Sequence, residues 1–202
     1  MAITINGSGS ITGVSVGGLP DGIVDTDMLA ADAVTVPKIG YNGAVLQVVS
    51  SQAALSSDIA SSSTTYVNSG LEVSITPVAA GSNILVQFFN FHPHTNAANG
   101  NYGVAYLIYR SVNGGTYIAC TSGHTSGYYS NGSSSNAHWK DGAGNVQILD
   151  DPTYTLGNSI TYRLYFRAPD NNTTNCYAHH NGGLASQTDT TYYNRTAMEI
   201  SA

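Results

Sequence analysis

The stretch Ile160-Thr161-Tyr162-Arg163-Leu164-Tyr165-Phe166-Arg167 alternates without a break. Period-two alternation puts Ile160, Tyr162, Leu164 and Phe166 on one face of a pleated strand. Thr161, Arg163, Tyr165 and Arg167 then face outward or towards a neighbour. A strand with one apolar face needs sheet partners and a second layer to cover it.

The partners are legible upstream and downstream. Leu71-Glu72-Val73-Ser74-Ile75-Thr76 repeats the alternation, and Asn68-Ser69-Gly70 divides it from the strand-like Thr64-Thr65-Tyr66-Val67. Ile84-Leu85-Val86-Gln87-Phe88-Phe89 is apolar on both faces and predicts a central strand. Tyr102 to Val112 ends at Asn113-Gly114-Gly115, and Thr116 to Thr121 returns, which predicts a hairpin. Ala44 to Val49, Val146 to Leu149, Asn175 to Ala178 and Arg195 to Ile200 supply further strands. Gln52 to Ala60 has room for one helical turn. Roughly eight to ten short strands with no later helical period predict an all-β, jelly-roll-like β-sandwich over residues 43–202.

Composition agrees. Only 9% of the 202 residues are charged, against about 25% in an ordinary soluble domain. The polar surface falls to Ser, Thr, Asn, Gly and Tyr, residues suited to strands and turns. Six basic residues, none clustered, stand against twelve acids for a net charge of −6. That excludes nucleic acid and an anionic membrane surface as expected partners, since both require clustered cations. Residues 1–7 lack the charged and apolar regions of a signal peptide, and no apolar run has the length of a membrane span. Cys120 and Cys176 are then expected as free thiols buried in or near strands, with a disulfide between them as the alternative.

The N-terminal part reads differently. Ile3-Thr4-Ile5 is strand-like, and Gly-rich sequence follows to residue 20. Over Ile11 to Gly40, a ten-residue offset lays Val24 on Val34 and Leu29 on Ile39. A unit with so few apolar residues cannot bury a core alone, so it needs stacked copies or partner chains.

These two parts together resemble the short fibre proteins of tailed bacteriophages, marine and cyanobacterial phages in particular. The likeness runs through ITGVSVGGLPDGIV (Ile11 to Val24), AVTVPKIG (Ala33 to Gly40) and GAVLQVV (Gly43 to Val49). It continues through Ser62 to Gln87, Ser159 to Pro169 and Arg195 to Ser201. The resemblance implies a homotrimer in a virion, assembled in the host cytoplasm. Its parts would be a docking segment at 1–20, a short repeat shaft at 21–42 and a β-sandwich head at 43–202. Ile3, Ile5, Ile11, Val14 and Val16 would dock on other virion proteins of tail or capsid. Outward Tyr and Thr suit polar packing between subunits, and closure would protect sheet edges that carry few charges.

Two functions fit this class: a tail fibre adhering to host-surface glycan, and a capsid fibre or decoration protein with a structural role. A polysaccharide depolymerase is a third. The Gly/Ser/Asn-rich insertion at residues 122–145 holds Tyr128, Tyr129, Asn131, His138 and Trp139. Aromatic faces among small hydrogen-bonding residues suit sugar rings, and these five are the candidate receptor-binding residues. The alternative is Trp139 tucked under the loop or between subunits.

No catalytic, cofactor or metal assignment follows from the sequence. His92, His94, His179 and His180 form two pairs without the three or four convergent ligands of zinc. Glycan hydrolysis requires two carboxylates across a groove. Glu72 and Glu199 read as outward strand positions, and Asp150-Asp151-Pro152 as a turn. The acids at 21–32 suit turns and caps, and their spacing is not that of a calcium loop. The expected protein is not an enzyme.

Overall fold

The alternation at 160–167 is realised as a strand in which every second residue is buried. The computed structural model describes residues 4–5, 11–12, 43–55, 57–91, 94–96, 100–123, 125–132, 144–169, 175–179 and 191–202. Among these, every regular element is a strand and every strand pairing is antiparallel. The chain divides into two units, Met1–Gly40 and Tyr41–Ala202.

In the first unit, β1 (Thr4–Ile5) pairs with β2 (Ile11–Thr12), Ile5 opposite Ile11. Ile3, Val14, Val16 and the ten-residue repeat lie outside the described residues.

The second unit opens with β3 (Val45–Leu55), β4 (Ile59–Ser61), β5 (Val67–Ile75) and β6 (Asn83–Phe91). There follow β7 (His94–Asn96), β8 (Gly100–Val112), β9 (Ile118–Ala119) and β10 (Ser126–Gly132). β11 (Gly144–Asp150), β12 (Ile160–Arg167), β13 (Asn175–His179) and β14 (Thr191–Ile200) complete it. One sheet runs β10-β8-β12-β5, with β9 beside β8, and a second runs β11-β6-β14-β3. A smaller sheet runs β4-β13-β7.

The inner faces of the two larger sheets meet in one apolar cluster. Leu71, Val73 and Ile75 of β5 and the inward residues of β12 pack with Ile84, Val86 and Phe88 of β6 and Ala197 of β14. Each fully buried Leu, Ile or Phe contributes about 1.5–3 kcal/mol. Two antiparallel sheets over a shared core are consistent with a β-sandwich.

Three local expectations change. The helical turn at Gln52 to Ala60 is absent, because β3 runs on to Leu55 against β14, with Thr191 opposite Leu55. Asn68-Ser69-Gly70 does not separate two strands. It is an irregularity within β5, where the register against β12 shifts between Arg163 and Tyr165. Gly70 supplies the positive φ of 77° there, while Ser69 Oγ donates to the Leu164 carbonyl at 2.5 Å. The insertion at 122–145 is not all loop, since Ser126–Gly132 forms β10 at the edge beside β8.

The hairpin after β8 holds. Asn113 and Gly114 have φ of 51° and 74°, the left-handed pair of a type I′ turn, closed by Gly115 N–H to the Val112 carbonyl at 3.0 Å.

Candidate functional site

Alternation sends Tyr109 of β8 and Arg163, Tyr165 and Arg167 of β12 to the outer face of the β10-β8-β12-β5 sheet. Antiparallel register sets Tyr109 opposite Arg163 and Glu72 opposite Arg163 on its other side. Tyr66, just before β5, and Tyr117, just before β9, join them. The result is a continuous ladder of rings. Tyr109 and Tyr165 have centroids 4.1 Å apart, Tyr66 meets Tyr109 edge-on at 6.3 Å, and Tyr117 lies 6.4 Å from Tyr165. A guanidinium covers each end, Arg163 at 4.4 Å from the Tyr117 ring and Arg167 at 5.4 Å from Tyr66.

The electrostatics hold the ladder in place. Arg163 Nε donates to Glu72 Oε2 at 2.5 Å, and that bond raises the guanidinium pKa further. Partial burial raises the phenol pKa values of Tyr66 and Tyr117. Those two phenols therefore remain neutral donors at any physiological pH. All four tyrosines are half-buried, so part of each ring stays open to solvent. A surface of part-open aromatic rings flanked by charged donors and one carboxylate can pack against the apolar side of a sugar and hydrogen-bond its hydroxyls. A pocket adjoins the ladder through Glu72, between β3 and β5, lined also by Val49, Ser51, Val73, Ser74 and Arg195.

The carboxylates expected on the surface are partly inside. Glu199 is fully buried, which overturns its outward reading. It sits opposite Ile84 on the inner face, where the β5–β6 connection folds over it. Its Oε2 accepts from Gln47 Nε2 at 2.6 Å and Val78 N–H at 2.9 Å. Its Oε1 accepts from Ala79 N–H at 2.9 Å and Ser82 Oγ at 2.8 Å. Burial alone would push this carboxyl up, but those donors outweigh burial and hold its pKa below the ordinary value.

Asp150 is no turn residue either. It ends β11 at 4% exposure, accepting from Tyr162 Oη at 2.9 Å and from Arg110 Nη1. Burial raises its pKa against the opposing pull of Tyr162 and Arg110. This trio ties β8 and β12 to β11 across the core. Glu72 keeps its outward place, with 40% of its side chain exposed.

Of the expected receptor-binding residues, register places Tyr128, Tyr129 and Asn131 on β10, opposite Val104, Gly103 and Asn101 of β8. His138 and Trp139 lie outside the described residues, as do His92 and His180. Among the described residues, no three His, Cys, Asp or Glu side chains gather to hold a metal ion. Cys120 and Cys176 are free thiols, each pushed up to about 12 by burial first.

Sequence reasoning overlooked the ladder as a site. Its signal was present, in that Tyr165 lies between Arg163 and Arg167 on one strand face. Tyr66, Tyr109 and Tyr117 join that face only through non-local pairing. Comparison with known proteins adds no assignment, as no family model and no curated protein matches the chain.

Proposed function

We propose that this chain is a structural protein of a tailed-phage virion, a homotrimeric tail fibre whose C-terminal head adheres to host-surface glycan. The tyrosine ladder carries the adhesion reading. It is a half-buried aromatic surface with guanidinium groups at both ends, suited to repeated shallow contact with sugar rings. Three heads per fibre would convert weak single contacts into firm attachment, because linked sites raise effective concentration. Strand β10, which carries Tyr128, Tyr129 and Asn131, pairs with β8 on the side away from β12.

The strand order supports a jelly-roll-like head. Numbered through the eight long strands of the two larger sheets, it runs 1-8-3-6 in one and 2-7-4-5 in the other. Such interleaving is that of two Greek keys wrapped into a sandwich. The role is non-enzymatic. Glu199 and Asp150 are saturated by donors of the protein itself, so neither serves as the second carboxylate of a hydrolase. In this reading residues 1–20 dock on other virion proteins.

The experiment is adsorption of the full chain to host cells. Tyr109→Ala combined with Tyr165→Ala is expected to reduce cell binding at least tenfold, about 1.4 kcal/mol, with assembly intact. Unchanged binding removes the ladder from the account, and binding by no form of the protein favours the decoration role.

A further inference from the structure

The outer face of the β11-β6-β14-β3 sheet differs chemically from the tyrosine face. Register aligns Val48, Met198, Leu85 and Leu149 in one row, one residue from each strand. Val48 is 54% exposed and Leu149 57%, while Leu85 and Met198 are half-buried. The next row is Ser50, Thr196, Gln87 and Gln147. Phe89 stands in the row beyond, between Asn194 and Asn145. Among the described residues of this face, no side chain carries a charge. An antiparallel sheet that faces water ordinarily alternates apolar-in with polar-out. Here β6, inside the sheet, places Leu85 and Phe89 outward.

The edge points the same way. β3 (VLQVVSSQAAL) is an edge strand of 11 residues without a charge or a proline. An edge of that length and composition is a template for association unless something covers it.

We infer that this face is covered by a second copy of the chain. A charge-free surface gives no purchase to an acidic or basic partner, and nucleic acid would need cations it lacks. Turned towards the three-fold axis of the trimer, this face meets neighbouring copies of the same composition. Apolar side chains can bury among apolar side chains there. The amides and hydroxyls of the next rows are each donor and acceptor, so they find partners on a neighbour without a charge to match. They are already ordered for this, with Gln87 Nε2 on Gln147 Oε1 at 3.0 Å, Gln52 Nε2 on Asn194 Oδ1 at 3.2 Å, and Ser50 with Thr196 at 3.0 Å. The inference rests on the oligomer proposed above and adds the face that makes it, leaving the tyrosine ladder outward.

The test is sedimentation velocity of the full chain over a range of concentrations. Wild-type protein is expected to sediment as a multiple of the 21.0 kDa chain. Val48→Lys with Leu149→Lys should raise the concentration for half-dissociation at least tenfold, with unchanged circular dichroism. Val78→Lys and Leu156→Lys, at 57% and 54% exposed apolar sites outside the face, should assemble as wild type. Should the lysine pair fail to fold, Val48→Ser with Leu149→Ser removes the apolar row without adding charge and should weaken assembly in the same direction. A monomeric wild type, or a folded double variant that assembles as tightly as wild type, overturns the inference. Wild-type protein that assembles but does not bind cells refutes adhesion alone and leaves this interface standing.

Discussion

Glu199→Gln tests the reading of the buried carboxylate as the anchor of the β5–β6 connection. In the wild type, four donors converge on two oxygens: Gln47 Nε2 and Val78 N–H on one, Ala79 N–H and Ser82 Oγ on the other. A glutamine offers one acceptor oxygen and replaces the other by an NH2 donor. The best placement keeps the oxygen towards Gln47 and Val78 and turns the Ser82 hydroxyl into an acceptor. Ala79 N–H is then orphaned, and the surviving bonds lose their charge assistance. An orphaned buried donor costs about 1–3 kcal/mol, and hydrogen bonds to charged groups exceed neutral ones by roughly 1 kcal/mol. The sum is about 3 kcal/mol at pH 7. For a unit of this size, that corresponds to a Tm lower by roughly 6–12 °C. The pH dependence sharpens the test. Because the folded pKa of Glu199 lies below its unfolded value, its contribution is complete above about pH 4.3 and is lost as pH falls through the folded pKa. Wild type and variant should therefore converge in urea midpoint as pH is lowered towards 3. A loss under 1 kcal/mol at neutral pH, or a difference undiminished in acid, refutes the reasoning.

Asp150→Asn should cost about 3 kcal/mol in urea unfolding, because Arg110, with 17% of its side chain exposed, loses its ionic partner inside the fold. Gly114→Ala should lower stability by about 1–2 kcal/mol, measured by thermal melting, since Gly114 has φ of 74° where a Cβ meets its own backbone. Thiols pushed up to about 12 make Cys120 and Cys176 inert to iodoacetamide at pH 8 in the folded protein. Both should label within minutes after urea unfolding, and mass spectrometry counts the adducts.

Much of the fold was legible because strand alternation is local. Residues 160–167 and 71–76 announce their inner faces, and Asn113-Gly114 announces a left-handed turn pair. What escaped the sequence depends on partners far along the chain. Glu199 follows the alternation of β14, yet its parity is inward, and the donors of the β5–β6 connection together with Gln47 of β3 make that burial tolerable. Asn68-Ser69-Gly70 looks like a turn because bulges and turns draw on the same residues. β10 carries Gly, Ser and Asn with its tyrosines, so its strand character comes from pairing with β8 and not from propensity. Tyr66, Tyr109, Tyr117 and Tyr165 come from four segments, and no spacing in the sequence links them. The uncharged sheet face emerged in the same way, from rows that run across strands.

The central claim is that this chain stands on a virion with its head presented outward, and immunogold electron microscopy of intact particles tests it most directly. With an antibody against residues 43–202, the account predicts gold at the tail, displaced from the particle body by the length of a short fibre. Gold spread evenly over the capsid would contradict adhesion and install the decoration role. Intact particles that carry no label would contradict the virion assignment itself.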